Sequence, residues 1–330
     1  MSWKNLKQTS LADALLVDHA ALTELDGVHD LINWPTIAVE LADIHTKKRG
    51  EKAYPPIVMF KALLLQVWYN LSDPALEKQL ARDLLFRRFV GLSLDQSIPD
   101  HSSLWRFRNL LSEQGRFDRL LNQLNTQLAE AGLLIRSGQI SIIDASVITA
   151  NHNRPNKTAE GKSTLDPEAA YNVKAGSDGK RKTTYGYKAH INAEEDGFIN
   201  KVCYTAGNVH DSQCLASLLT GKEHAVYADS AYASQAHDTL LQTQHVRNCI
   251  LKRAYRNTPL SKAAKQTNRL HSGTRSIVER VFGVLKLHYG MGRARYLGLA
   301  RNHARFMLMA FAYNLKRAFA IHTACHLSTE

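Results

Sequence analysis

The chain has 330 residues, 44% hydrophobic and 22% charged, which excludes a disordered polymer and is enough for one large domain or two ordinary ones. Its net charge of +12 is unevenly placed: from Val246 to the end there are 16 Lys or Arg against 2 acids, a net +14, which leaves residues 1–245 at −2. A positive field confined to one part of a chain suits a polyanion-binding face. Cys203, Cys214, Cys249 and Cys325 lack close paired spacing and fall in or beside apolar stretches, so they read as reduced, buried thiols of a cytoplasmic protein. The opening Met1-Ser2-Trp3-Lys4-Asn5 has no apolar signal-peptide core, and Phe306 to Leu315, between Arg305 and Lys316, is too short to span a bilayer. No membrane association is expected; that last segment reads as a buried helix.

Residues 1 to about 130 carry helical periodicity. Pro55-Pro56 opens a helix through Ile57 to Leu65, where proline suits the first turn. Asp73-Pro74 opens another, whose Leu76, Leu80, Leu84 and Phe86 form an apolar stripe up to Gly91. After Pro99-Asp100, Ser102 is placed to cap a helix with Leu104, Phe107 and Leu111 on one side and Arg106 and Asn109 on the other. Phe117, Leu120, Leu121, Leu124 and Leu128 extend a further stripe to Gly132. Trp34, Trp68 and Trp105 read as core anchors of these helices.

Around Gly138 the period turns strand-like, which divides the chain into residues 1–132 and 133–330. Residues 151–184 are polar and rich in Lys, Asn, Gly and Ser, the composition of a long loop. Tyr187 to Asn192 and Phe198 to Tyr204 flank Glu194-Glu195-Asp196-Gly197 and predict a hairpin with an Asp-Gly turn. A helix after Asp211, a strand ending at Asp229, a helix around Gln235 to Gln242 and a strand at Cys249-Ile250-Leu251 complete an alternation. The fold class is α/β, a mixed sheet flanked by helices, preceded by an all-helical N-terminal domain.

Three carboxylates stand out against this frame. Asp144 ends the apolar run Gln139 to Ile143, Asp229 ends His224 to Ala228, and Glu279 lies in the periodic stretch Arg275 to Phe282. Two strand-end aspartates and a helical glutamate can hold a pair of divalent cations for attack on a phosphodiester, which points to a nuclease or strand-transfer enzyme. Arg275, Glu279 and Lys286, spaced i−4, i and i+7, share one helical face. On a lone helix such a row is more often an exposed ion-pair ladder; the two aspartates argue for more.

Asp144, the Tyr227-Ala228-Asp229-Ser230-Ala231-Tyr232 run, and Arg275 with Glu279 and Lys286 resemble the DDE motif of bacterial insertion-sequence transposases, most like the insertion-sequence-five family. The likeness runs from the Pro55-Pro56 helix through Lys286. It implies an RNase H-like catalytic domain at 133–330, with Asp144, Asp229 and Glu279 as metal ligands and Arg275 and Lys286 beside them. It further implies Mg²⁺, with Mn²⁺ as substitute, and cutting at terminal inverted repeats followed by transfer of a 3′ hydroxyl to target DNA. A bacterial cytoplasmic protein that joins the nucleoid when bound to double-stranded DNA, as a homodimer or higher oligomer, follows from the same likeness. In it Asp144 bridges both ions while Asp229 and Glu279 each complete one side. Related families often carry a tyrosine three residues before the arginine; here Ser272 stands there.

Other residues are weaker candidates. Arg106, Arg108 and Asn109 would touch DNA if residues 74–90 and 102–112 form a helix-turn-helix-like pair, although the turn between them is long. The same helices equally suit an assembly bundle. Lys188 and His190 share a strand face, and Arg293, Arg295, Arg301 and Arg305 extend the basic face beyond Lys286, all as DNA contacts. In Asn208-Val209-His210-Asp211, which also resembles the family, Asp211 reads as a helix cap and His210 as a site-lining residue. Gly161-Lys162-Ser163 lacks the strand and glycine spacing of a phosphate loop. His322, Cys325 and His326 lack a second ligand pair for zinc and read as a frayed tail. Two rival functions remain: a catalytically silent DNA-binding descendant of a transposase, and a metal-dependent nuclease without strand transfer.

Overall fold

A computed structural model describes residues 19–44, 52–133, 139–151, 166–175, 181–254 and 258–327. The chain folds as two compact units, Met1–Leu133 with Met307–Glu330, and Leu134–Phe306. Gly161-Lys162-Ser163 and most of the polar segment after Asn151 lie outside the described residues.

The first unit is helical where described: α1 (Ala20–Thr23), α2 (Asp26–Asp30), α3 (Trp34–Val39), α4 (Pro56–Trp68), α5 (Asp73–Arg82), α6 (Leu84–Val90), α7 (His101–Glu113) and α8 (Arg116–Glu130). Helix α4 starts with Pro56 at its first position, as its sequence predicts, and is buried almost all round. Ser72 caps α5, its hydroxyl accepting from the Ala75 N–H at 3.3 Å. The single helix expected from Pro74 to Val90 is instead two. Asp83 adopts an extended conformation and its carboxylate accepts the Phe86 N–H, so it ends α5 and caps α6. The cap of α7 is Asp100, which accepts the Ser103 N–H at 2.6 Å, rather than Ser102. Trp34 is buried as expected, but Trp105 is 38% exposed, because it projects from the outer side of α7.

A long helix, which becomes α12 in chain order (Leu299–Leu327), is shared between the units at Phe306 and Met307. Within the first unit Phe60 meets Phe311 edge-on, the Trp68 indole N–H donates to the Ala312 carbonyl at 3.1 Å, and the Asn314 amide donates to Asn125 at 2.8 Å. Residues Phe306 to Leu315 are buried, as their apolar run predicts. The helix continues past His322 to Leu327, so no frayed tail begins there, and Cys325 is exposed rather than buried. Among the described residues no helix is long and apolar enough to cross a membrane.

The second unit is built on a six-stranded mixed sheet: β1 (Ile140–Thr149), β2 (Ala170–Ala175), β3 (Arg181–Ala193), β4 (Ile199–Ala206), β5 (Ala225–Ala228) and β6 (Arg247–Asn248). Strand β1 pairs antiparallel with β3 on one side and parallel with β5 on the other, and β5 pairs parallel with β6. Strands β2 and β4 take successive stretches of the far edge of β3. Helices α9 (Leu215–Leu218) and α10 (Gln235–Thr243) follow β4 and β5, and α11 (Lys262–His288) packs on β1. The predicted hairpin forms between β3 and β4, with Gly197 at φ 79° supplying the left-handed turn residue.

Two expectations shift here. Residues 170–175 and 181–184 are strand, not loop; Tyr171 and Val173 alternate with Asn172 and Lys174, a period-two pattern hidden by the polar composition. The strand expected at Cys249 to Leu251 begins at Arg247, and the N–H groups of Cys249 and Leu251 continue its pairing by donating to Val226 and Ala228. Behind the parallel strands an apolar cluster of Ile143, Leu215, Leu218, Val226, Ala228, Tyr232, Leu241 and Ile250 anchors β5 and the first half of β1.

Candidate active site

Strand β1 is where the sheet changes from antiparallel to parallel, and open sheets place functional groups at the carboxyl ends of strands flanking such a point. The last aligned parallel pair is Ile143 with Ala228, so the next residues, Asp144 and Asp229, leave the parallel strands side by side. Asp144 does not end its strand: β1 runs on to Thr149, held there by β3 alone. Asp229 does end β5, and its carboxylate accepts the Ser230 N–H at 2.6 Å as cap of a single 3₁₀ turn. Glu279 comes from α11.

Arg275 connects the two elements. Its guanidinium donates to Asp144 Oδ2 at 2.9 Å and, four residues along the same helix, to Glu279 Oε1 at 2.5 Å. Arg275 and Asp144 side chains are each 19% exposed, Glu279 56%. The Asp144 carboxyl is held above the usual carboxylate range, first by burial and further by the negative Asp229 and Glu279; the Ala145 N–H and Arg275 oppose this. Burial also raises the Tyr232 hydroxyl, as do the neighbouring carboxylates of Asp211, Asp144 and Asp229; Tyr232 is fully buried and its hydroxyl has no hydrogen-bond partner.

Beside Asp144 and Glu279 opens a cleft of about 580 Å³, lined also by Asn172, Lys174, Lys182 and Thr184 from β2 and β3 and by Lys286 from α11. Lys174 faces Lys182 across β2 and β3, a like-charged pair that a hairpin does not favour for its own sake. Burial lowers the Lys286 ammonium, as does the nearby positive Lys174. Neither hairpin lysine was legible as a site residue, because Lys174 and Lys182 fall in a stretch read as loop; the Tyr-Asn-Val-Lys alternation was the available signal.

The remaining sequence candidates separate by environment. Lys188 and His190 are buried: Lys188 donates to the Val209 carbonyl and to Asp211, each at 2.7 Å, and His190 Nε2 pairs with the Thr205 hydroxyl at 2.9 Å. Both side chains are thus engaged inside the unit rather than exposed for an external phosphate. Burial lowers the His190 pKa to about 4, with Lys188 adding and Asp211 opposing. Asp211 serves that ion pair; the cap of the 3₁₀ turn is the exposed His210, whose Nδ1 accepts the Ser212 N–H. Arg108 is 2% exposed in a two-pronged pair with Asp73, so it has no path to a DNA groove, whereas Arg106 is exposed and Asn109 half-exposed on the other side of α7. Arg293 is exposed, with a bond to the Asn151 carbonyl; Arg295 is half-buried and Arg301 exposed. Arg305 is buried against the carbonyls of Tyr289, Gly290 and Arg293, a structural role rather than a backbone contact.

All the donors at the centre are carboxylate oxygens, the ligands that hard divalent cations prefer. Among the described residues, no three His, Cys, Asp or Glu are gathered closely enough to enclose a metal ion as they stand. The Arg275 guanidinium supplies the positive charge between Asp144 and Glu279 instead. Two aspartates on paired strands, a helical glutamate and a basic cleft are the kinds of group that suit phosphodiester chemistry.

Comparison with known families agrees with that class. Residues 135–315 match the model of the transposase DDE domain, and residues 12–110 match that of a transposase domain (DUF772). The chain belongs to the DDE transposases. A solved structure, the cryo-EM structure of the piggyBac transposase synaptic complex with hairpin DNA, aligns at a TM-score of 0.42 and 10% identity, covering 94% of this chain and 76% of that one.

Proposed function

We propose that this transposase is of the insertion-sequence-five type, with an RNase H-like catalytic unit that cuts the phosphodiesters at the inverted-repeat ends of its element and joins the 3′ hydroxyl to target DNA. The observation that carries the reading is the position of Asp144 and Asp229 just past the last parallel pair of β1 and β5, with Glu279 tied to Asp144 through Arg275. The strand order, three antiparallel strands followed by two parallel ones, supports the RNase H-like assignment.

In this reading Asp144, Asp229 and Glu279 would hold Mg²⁺, or Mn²⁺, which when bound activates the attacking oxygen and stabilises the leaving one. Asp144, which follows the last residue paired with β5 and is bonded to Arg275, would be one of those ligands. The chain's own part is positional. The apolar cluster under β1 and β5 fixes the two aspartates, while α11 delivers Glu279 and places Lys286 in the same cleft. Lys286 contributes charge to a phosphate there, as do Arg293, Arg295 and Arg301 farther along the basic segment. Arg106 and Asn109, on the outer side of α7, contact DNA from the helical unit, which binds the ends or assembles the complex. A homodimer or higher oligomer that holds two ends together completes the scheme.

The test is cleavage of a duplex taken from the genomic boundary of the coding region. Asp144→Asn, Asp229→Asn and Glu279→Gln should each abolish nicking and joining with Mg²⁺ while duplex binding persists. Full nicking by any of the three would overturn the metal-carboxylate reading. Nicking without any joined product would reduce the activity to a nuclease.

A further inference from the structure

The two carboxylates brought together beside the cleft are already neutralised from within. Arg275 spends its two terminal nitrogens on two different acids, Asp144 at 2.9 Å and Glu279 at 2.5 Å, instead of gripping one of them bidentately. Its Nε, aimed inward, is buried without a hydrogen-bond partner. A guanidinium held this way carries a charge that the two acids need, in an arrangement that leaves one of its own donors unsatisfied. The side chains are largely shielded from water on the Asp144 side, so the charge cannot simply be dropped.

We infer that Arg275 is a resident counter-ion that occupies the metal site of the DNA-free chain, so that loading of a divalent cation requires Arg275 to leave Asp144 and Glu279. This rests on the proposed metal role of those carboxylates and adds a regulation to it. The exchange is internal: one cation replaces another at the same oxygens, and the released guanidinium then requires an anion. The cleft that Asp144 and Glu279 open onto, lined also by Lys174, Lys182 and Lys286, is where a phosphodiester supplies one. Metal and DNA therefore bind with mutual reinforcement. Each assists the other through the position of Arg275, and the free protein is guarded against carrying a loaded, indiscriminate hydrolytic centre. Arg275 is in this sense a positioning residue, acting through the carboxylates.

The readout is metal binding, separate from catalysis. Mn²⁺ affinity is measured by calorimetry and by the loss of the free-ion paramagnetic resonance signal, on the full chain without DNA at fixed ionic strength. Wild type is compared with Arg275→Gln, Arg275→Lys and Asp144→Asn. Arg275→Gln should bind Mn²⁺ about 10-fold tighter than wild type, within the range of ordinary site-to-site coupling, and Arg275→Lys should fall between. A non-cleavable phosphorothioate duplex should raise Mn²⁺ affinity more in wild type than in Arg275→Gln, where only the phosphate's own coordination is left. If Arg275→Gln does not fold, Arg275→Lys and the duplex dependence of wild type carry the comparison. Equal Mn²⁺ affinity in wild type and the Arg275 variants, with binding lost in Asp144→Asn, would overturn the counter-ion role and leave the metal site standing. Equal binding in Asp144→Asn and wild type would instead remove the metal site itself.

Discussion

Replacing Asp73 by alanine should unfold the helical unit more readily than any change at an exposed arginine. Arg108, 2% exposed, donates to both oxygens of Asp73 at 2.8 Å and to Gln66 at 3.0 Å, and Gln66 in turn donates to Asp73 at 2.6 Å. Removing the carboxylate strands a guanidinium among Leu104, Leu111 and their neighbours, a loss of about 3–5 kcal/mol for a broken buried pair. Arg108→Met should cost less, roughly 1–3 kcal/mol, because Asp73 is 14% exposed and keeps its bond from Gln66. The double variant leaves no uncompensated charge, so its loss should fall well short of the sum of the single losses, with a coupling of about 2 kcal/mol or more. All four tryptophans, Trp3, Trp34, Trp68 and Trp105, belong to this unit, so urea titration followed by tryptophan fluorescence reports on it selectively. Single losses that simply add, with coupling below about 0.5 kcal/mol, would show that Arg108 and Asp73 do not depend on each other and would return Arg108 to the list of DNA contacts.

Stability should also fall as pH drops from about 6.5 to about 4. The unfolded chain protonates His190 near its ordinary value of 6.5, while the buried imidazole resists until about 4. The neutral form therefore contributes up to about 3 kcal/mol above that window, lost on acidification. His190→Gln should flatten the difference in acid urea titrations, and an unchanged pH slope would refute it. Gly186→Ala should give insoluble or strongly destabilised protein, because a Cβ there would stand 2.0 Å from the Ile148 carbonyl where β1, β2 and β3 meet; a wild-type melting curve would show that the strands part easily. Charge reversal of the hairpin lysines, Lys174→Glu with Lys182→Glu, should weaken duplex binding and lower the steepness of its salt dependence by about two counterions, measured by titration at several salt concentrations. An unchanged slope would remove the hairpin from the DNA face.

The order of the chemical groups could be read from the chain: the apolar runs before Asp144 and Asp229 had to be strands, and the spacing of Arg275, Glu279 and Lys286 had to be one helical face. Helix α4, the β3–β4 hairpin and the buried Phe306 to Leu315 followed from local signals of the same kind, proline at a first turn, an Asp-Gly turn and an unbroken apolar run. Local signals compete over short distances, which is why Asp83 split one expected helix and Asp100 rather than Ser102 capped another. What periodicity could not supply was the identity of each charge's partner. Arg106 and Arg108 lie two residues apart on one helix and both read as DNA contacts; only the fold showed Arg108 turned inward with Asp73 opposite it. The +14 charge from Val246 onward was likewise only a total. Arg275 and Arg305 spend theirs inside the structure, while Lys174 and Lys182, from outside that segment, supply part of the basic wall of the cleft. A charge's effect depends on distance and burial across the chain, and those quantities are set by tertiary structure, whereas hydrophobic period and turn chemistry act between near neighbours and are written in the sequence.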